Sequence, residues 1–296
     1  MKKILITGAN GFVGASLVRD FVKNYEVDII VRKNNIWRIS DIISDVKNVF
    51  NADISDRALV HQIIQKSQPE LLLHLSTFGG TVGQLDHTKL IETNLRGTIN
   101  LLDACVSLGV KRFINTGSSS EYGIKNCPMK ESDICHPDNL YGITKLAATN
   151  YCSMIGSQKG YDVCTLRLFS PYGPMEDPSR LYPTIINALE NNESPSLSNP
   201  AYVRDFISIN KVIQIYKFFC EGVFSQGDIY NVASGKQQTI EAFYGYIAKQ
   251  MGQSHLKPCW TYSKGRGNEP LFWEADVSKL KKFLSVNHFT LDLCEN

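Results

Sequence analysis

Tyr141 and Lys145 lie four residues apart in Asn139-Leu140-Tyr141-Gly142-Ile143-Thr144-Lys145. On a helix that spacing puts both side chains on one face, about 5–6 Å apart. An ammonium there favours the phenolate of a tyrosine whose ordinary pKa is about 10, giving a proton donor and acceptor usable near neutrality. Of the 13 tyrosines in the chain, only Tyr141 has a lysine at this spacing. Chance supplies about one such pair in a chain of this composition, so the pair takes its meaning from its surroundings.

A second constellation stands at the amino terminus. Thr7-Gly8-Ala9-Asn10-Gly11-Phe12-Val13-Gly14 follows the apolar run Ile4-Leu5-Ile6 and opens an amphipathic segment. A strand, a glycine turn and a helix in that order bring backbone amides and a helix amino terminus against a diphosphate. Gly8, Gly11, Phe12, Val13 and Gly14 are therefore the expected dinucleotide contacts. The second apolar run ends in Val31-Arg32-Lys33. A carboxylate there would hold the ribose hydroxyls of NAD, whereas a cation would accept the 2′-phosphate of NADP. Arg32 thus favours NADP, with NAD as the alternative and a solvated basic loop as the non-functional reading; Arg38 can share the charge. Asp53, followed by Ile54 after the third run, is placed to approach the adenine, although an ordinary strand-end turn explains an aspartate there almost as well.

The elements that must position these groups are legible as alternating periods. Apolar runs at 3–7, 27–32, 49–53, 70–76, 111–118 and 162–169 alternate with helical patterns at 12–20, 56–67, 86–108 and 138–158. The expected fold is α/β, a Rossmann-like doubly wound parallel sheet. Asp56 is placed to cap the second helix, and Asp138 adjoins the start of the last. Beyond residue 170, prolines at 171, 174, 178, 183, 195 and 200 break the alternation, which reads as a smaller carboxy-terminal substrate-binding lobe. The division expected is an NAD(P)-binding domain of residues 1–169, joined by 206–229, and a substrate lobe of 170–205 and 230–296.

Bulk properties exclude several classes. The 296 residues are 43% apolar, and 31 Lys and Arg against 29 Asp and Glu leave a net charge of +2 without basic blocks. Neither nucleic-acid nor membrane-surface binding is expected. No apolar run approaches 18 residues and the chain starts directly in a strand, so a cytoplasmic protein is expected. Eight cysteines occur without a Cys-x-x-Cys, most of them within apolar runs, and the pair Cys135-His136 lacks further ligands at metal spacing. Buried free thiols and no metal are expected.

Further segments recur in one order: His74-Leu75-Ser76, Thr93-Asn94-Leu95-Arg96-Gly97-Thr98, Ser118-Ser119-Ser120-Glu121-Tyr122-Gly123, Arg167-Leu168-Phe169-Ser170-Pro171-Tyr172-Gly173, Arg204-Asp205-Phe206 and Tyr230-Asn231-Val232. With the glycine turn and the Tyr141–Lys145 pair, the chain resembles the extended short-chain dehydrogenase/reductase family, in particular its nucleotide-sugar epimerases, dehydratases and ketoreductases. That resemblance implies Tyr141 as acid/base at a sugar oxygen, Lys145 on the nicotinamide ribose and Ser118 hydrogen-bonded to the same sugar oxygen, Ser118 being four residues before Tyr122. Leu75 and Asn94 would support the cofactor, with a helix-surface amide as the alternative for Asn94. Ser119, Ser170, Arg204 and the Phe78-Gly79 loop would meet the sugar nucleotide. Arg204 would grip its diphosphate, a salt bridge to Asp205 being the bland alternative, and for the Phe78-Gly79-Gly80 loop a plain tight turn is the equal alternative.

Departures from the family narrow the reaction. Family dehydratases carry an Asp-Glu pair directly after the catalytic hydroxyl, where this chain has Ser119-Ser120, with Glu121 one position late. Epimerases usually have Asn at Ser170. The segment 267–276 resembles the end of 4-ketoreductases. The leading expectation is an NADPH-dependent reductase of the C4 keto group of a nucleoside-diphosphate 4-keto-6-deoxyhexose, with an NAD-dependent C4 epimerase second and a non-catalytic dinucleotide sensor third. The resemblance also implies a homodimer packed through 86–108 and 138–158.

Overall fold

The computed structural model describes residues 2–32, 36–80, 83–261 and 270–293. Lys33, Cys294 and the 267–269 portion of the late segment lie outside them. β1 (Lys3–Thr7) buries Ile4, Leu5 and Ile6 completely; a strand covered on both faces reads as a continuous apolar run. There follow α1 (Phe12–Phe21), β2 (Glu26–Val31), β3 (Asn48–Asn51), α2 (Arg57–Ser67), β4 (Leu71–His74), α3 (His87–Ile91), α4 (Gly97–Ser107), β5 (Arg112–Ser118), α5 (Leu140–Lys159) and β6 (Val163–Leu168). The strands lie in the order β3-β2-β1-β4-β5-β6 and pair in parallel. Strand order therefore reverses between β1 and β4, and a doubly wound sheet binds its ligand at the carboxyl ends flanking that point. Thr7 and His74 are the register partners there.

Two local features differ from the sequence expectation. A 3₁₀ segment, Trp37–Asp45, fills the connection after β2. The single helix expected over 86–108 is two helices joined by a π turn at Glu92–Arg96. No glycine or proline precedes the break, and one inserted residue leaves the apolar periodicity intact. The caps follow simple chemistry. Asp56 Oδ1 accepts from Leu59 N at 3.0 Å, as expected. At α5 the cap is Asn139, whose Oδ1 accepts from Gly142 N at 2.8 Å, while Asp138 Oδ1 accepts from Asn139 Nδ2 and orients that amide.

The chain then passes through β7 (Ser170–Tyr172), α6 (Leu181–Glu190), β8 (Ser196–Leu197), β9 (Val203–Arg204) and β10 (Phe206–Ser208). Next come α7 (Ile209–Glu221) and β11 (Ile229–Val232), the latter on the sheet edge beside β6. β12 (Gln238–Thr239), α8 (Ile240–Gln250), β13 (Cys259–Trp260) and α9 (Ser278–Val286) complete the described elements. Two compact units result: residues 1–123, 133–168 and 213–231, and residues 124–132, 169–212 and 232–296.

In the second unit the Phe206 and Phe243 rings stack at 3.9 Å, with Tyr172 edge-on to Phe243 at 4.9 Å. Pro183, which reads as a breaker, sits in the first turn of α6, where a missing N–H costs nothing. The Asp205 carboxylate, fully buried, accepts from the backbone of Ser234, Gly235 and Ala275 at 2.8–3.1 Å and from Ser234 Oγ at 2.6 Å. It ties β9 and β10 to the segments after β11 and before α9. Among the described cysteines, Cys105, Cys152, Cys164 and Cys220 are buried free thiols, whereas Cys127 and Cys259 are exposed. No described helix is long and apolar enough to cross a membrane.

Candidate active site

The glycine turn is built for close approach. Gly8 has φ +69°, and a Cβ there would lie 2.6 Å from the Leu75 carbonyl carbon and Ser76 N. A Cβ on Gly14 would lie 2.2 Å from Gly8 O, so α1 packs directly on the turn. Gly11 N donates to Gly8 O at 2.9 Å and closes it. No side chain caps α1 and its first turn holds no acid, which leaves the leading N–H groups, those of Phe12 and Val13 among them, for an anion. A cavity of about 280 Å³ opens beside this turn, lined by Gly8, Gly11, Arg32, Asp53, Ile54 and Leu75 among others. Six residues expected at the cofactor from sequence alone thus surround one space. Asp53 also forms the strand-end turn, accepting from Ser55 N and Oγ at 3.0 and 2.8 Å. Arg38 donates to Asn10 O at 3.1 Å, and the Arg32 guanidinium lies 5.8 Å from the centre of the Phe78 ring.

Below this cavity runs a directed chain of hydrogen bonds. Thr7 Oγ1 accepts from Leu75 N and Ser76 N, so its own proton goes to His74 Nδ1 at 2.8 Å. His74 Nε2 then donates to Thr98 Oγ1 at 2.9 Å, and Thr98 donates to Asn94 O at 2.7 Å. His74 is neutral throughout the physiological range: burial, with the Lys145 charge adding, pushes its pKa down to about 3. Asn94 accepts from Thr77 Oγ1 and Phe78 N and donates to Phe78 O and Thr144 Oγ1. Two lone-pair sites and two protons are then all engaged. The buried amide thereby braces the Phe78 loop against α5.

The residues expected from sequence to transfer a proton lie on α5 and at the end of β5. Lys145 is buried and its Nζ donates to Thr116 O at 2.5 Å. Burial depresses its pKa, while the Glu121 charge works in the opposite direction. Gly142 follows Tyr141, and a Cβ on it would lie 2.3 Å from Ser120 O. Any other residue there would push α5 off the Ser118–Ser120 turn. Gly79, at φ +89°, brings its backbone against the Tyr141 ring, where a Cβ would sit 3.1 Å from Cδ2. Ser118 ends β5 and its Oγ accepts from Ser120 N at 3.2 Å; Ser119 beside it is buried. Phe78 is also buried, its backbone held by Asn94.

In the sequence Glu121 stands out only as an acid one position late for the dehydratase pair; in the structure it lies against Ser118. Fully buried, it accepts from Ser118 N at 2.8 Å through Oε1 and from Arg167 Nε at 2.7 Å through Oε2. Its signal was a lone acid and a lone arginine in otherwise uncharged strand-end segments, Gly-Ser-Ser-Ser-Glu-Tyr and Thr-Leu-Arg-Leu-Phe. In the second unit, Arg204 ends β9 and its Nη1 donates to Val203 O at 2.7 Å, while Ser170 N donates to Asp205 O at 3.2 Å. No group of three or more His, Cys, Asp or Glu with metal-site geometry occurs among the described residues.

Comparison with known proteins agrees with this geometry. The dTDP-glucose 4,6-dehydratase of Neisseria meningitidis serogroup B is 24% identical over 96% of this chain and 88% of its own length. The UDP-glucuronic acid 4-epimerase of Bacillus cereus, solved with UDP-glucuronic acid and NAD, superposes with a TM-score of 0.83 at 25% identity, covering 98% of this chain and 95% of its own. The UDP-N-acetylglucosamine 4-epimerase of Methanobrevibacter ruminantium M1 gives 0.82 at 25% identity, over 95% and 91%. Residues 4–233 match the NAD dependent epimerase/dehydratase family, and with more than half of its length so matched the chain belongs to that family.

Proposed function

We propose that this protein is an NADPH-dependent reductase acting on the C4 keto group of a nucleoside-diphosphate 4-keto-6-deoxyhexose. The observation that carries the reading is the arginine following β2 on the lining of the cavity beside the glycine turn, a cavity that Asp53 also lines. Arg32 lines it, Arg38 is anchored to the glycine turn, and Arg32-Lys33-Asn34-Asn35 after β2 contains no carboxylate to hold a free ribose diol. The uncapped α1 terminus and the Gly8–Gly14 contact fit a diphosphate.

When bound, the nicotinamide cofactor supplies the hydride to C4. Tyr141 donates its phenolic proton to the C4 oxygen, so that the carbonyl becomes a hydroxyl and the phenolate is left beside the Lys145 ammonium. Lys145, with Thr116 O as its one hydrogen-bond partner among the described residues, keeps two protons for a ribose hydroxyl. Ser118 Oγ holds the sugar oxygen in line with Tyr141. Elimination of the sugar 6-hydroxyl is disfavoured because both Glu121 oxygens are engaged and buried. Arg204 is the proposed diphosphate ligand, a guanidinium fork matching phosphate oxygens. The half-exposed Ile91 and Ile143 on α3 and α5 support a homodimer through those helices, for sedimentation to test.

The second reading, a C4 epimerase retaining NAD, is favoured by the structural relatives described above. Incubation with NADPH or NADH and a series of 4-keto sugar nucleotides separates the two. Oxidation of NADPH in preference to NADH is expected. No oxidation of either, together with NAD released from the denatured enzyme, would overturn the reductase in favour of the epimerase.

A further inference from the structure

Glu121 and Arg167 form a buried pair directly beneath the proposed catalytic groups, and the chain is shaped to admit it. A Cβ on Gly117 would lie 2.7 Å from Glu121 Oε1 and 3.0 Å from Arg167 Cγ. The Arg167 guanidinium lies 4.5 Å from the centre of the Tyr122 ring, and Tyr122 OH donates to Asn231 Oδ1 at 2.7 Å. Arg167 Nη1 is buried without a hydrogen-bond partner among the described residues. A buried ion pair is weak evidence of stabilisation, because desolvation offsets its attraction. Its placement points elsewhere: one carboxylate oxygen fixes the N–H of Ser118, two residues along β5 from Thr116, whose carbonyl oxygen holds the Lys145 ammonium at 2.5 Å.

We infer that Glu121 is a positioning residue for the reaction: it fixes the backbone that carries Ser118 and supplies the counter-charge that keeps Lys145 protonated, with Arg167 holding its carboxylate in place. The inference rests on the roles proposed above for Ser118 and Lys145. The groups around Lys145 are few. His74 on β4 is neutral, Cys152 on α5 is a thiol pushed by burial up to about 12, and Tyr141 is the proposed partner on the same helix face. Glu121 is then the one carboxylate acting on the ammonium among the described residues.

The ionisation of Lys145 can be followed directly by NMR of protein carrying ε-¹³C lysine, its signal identified by loss in Lys145→Arg. Glu121→Gln moves the titration midpoint of Lys145, and the alkaline limb of kcat, to lower pH. Arg167→Gln, which leaves the carboxylate uncompensated, moves both to higher pH. Opposite signs do not arise from loosened packing. In Glu121→Gln, kcat at pH 7 also falls roughly 10- to 100-fold through misplacement of Ser118, with cofactor affinity unchanged. Because a lone buried cation can prevent folding, the double variant Glu121→Gln/Arg167→Gln provides the neutral control, in which the two opposing shifts offset and the Lys145 midpoint lies between those of the single variants. A Lys145 midpoint that stays put in Arg167→Gln, or moves in the same direction in both single variants, overturns the inference while leaving the reductase reading intact. Undiminished turnover in Tyr141→Phe overturns that reading, whatever the Lys145 titration shows.

Discussion

Substitution of Gly14 by alanine tests the architecture of the cofactor turn with an internal control. The added methyl would sit 2.2 Å from Gly8 O, 2.8 Å from Gly8 C and 3.1 Å from Ala9 Cα. All three are backbone atoms, so no side chain can rotate away. An ordinary carbon–oxygen contact needs about 1 Å more, and α1 must move by that amount relative to β1. Overpacking of this kind costs about 1–3 kcal/mol. At 2–4 °C per kcal/mol for a unit of this size, the melting temperature falls by roughly 2–12 °C. The same displacement withdraws the helix amino terminus from the diphosphate, and loss of one charge-assisted contact weakens cofactor binding about 10- to 100-fold. Gly11→Ala is the control. Its methyl would meet only Gly8 O, at 3.1 Å, and its φ of −77° suits alanine. Stability should change by no more than about 1 kcal/mol, the value of a helix cap, whereas cofactor affinity should still fall because the methyl enters the diphosphate path. Differential scanning calorimetry and fluorescence titration with NADPH measure both quantities. A Gly14→Ala protein that melts like the parent and binds NADPH equally well would refute the reasoning.

Three further predictions concern separate parts of the chain. Burial pushes Glu176 up to about 7, with no hydrogen-bond partner for Oε2 among the described residues and Arg180 3.9 Å from Oε1. Its folded pKa exceeds the ordinary 4.5, so the stability it contributes is complete below 4.5 and is lost as pH rises through 7, by up to about 3 kcal/mol. Calorimetry of Glu176→Gln between pH 4.5 and 8 should show a correspondingly smaller loss than the parent. Asn94→Ala removes four hydrogen bonds and strands the buried Phe78 N and O; urea titration should record a loss of about 2–4 kcal/mol. Arg32→Ala should lower kcat/KM with NADPH by about 10- to 100-fold and leave that with NADH nearly unchanged, the value of one charged hydrogen bond to phosphate; equal losses with both would remove Arg32 from cofactor selection.

The fold was legible where period and punctuation agree. β1 and β4 carry the uninterrupted buried apolar runs Ile4–Ile6 and Leu71–Leu73, and the glycine spacing marks the turn at which strand order reverses. The residues around the cofactor cavity, Gly8, Gly11, Arg32, Asp53, Ile54 and Leu75, follow from that register. What escaped has physical causes. The π turn at Glu92–Arg96 inserts one residue without disturbing the apolar pattern. Helices α6 and α8 lie in a proline-rich half, where Pro183 occupies a first turn and so breaks nothing. The Glu121–Arg167 pair joins residues 46 apart across neighbouring elements, and no local pattern encodes such a contact. Asn94 was recognised as part of the site, but a sequence cannot show that its hydrogen-bonding capacity is spent inside the protein.

The central claim is that Tyr141 completes hydride transfer at the C4 carbon of a nucleotide sugar. Single-turnover reaction with NADPH deuterated at the nicotinamide C4, followed by mass spectrometry and NMR of the product, tests it most directly. One deuterium at sugar C4 is expected, with a rate about 10²- to 10⁴-fold lower in Tyr141→Phe, the range for a lost general acid. Deuterium absent from C4, or transferred as fast by the phenylalanine variant, would contradict it.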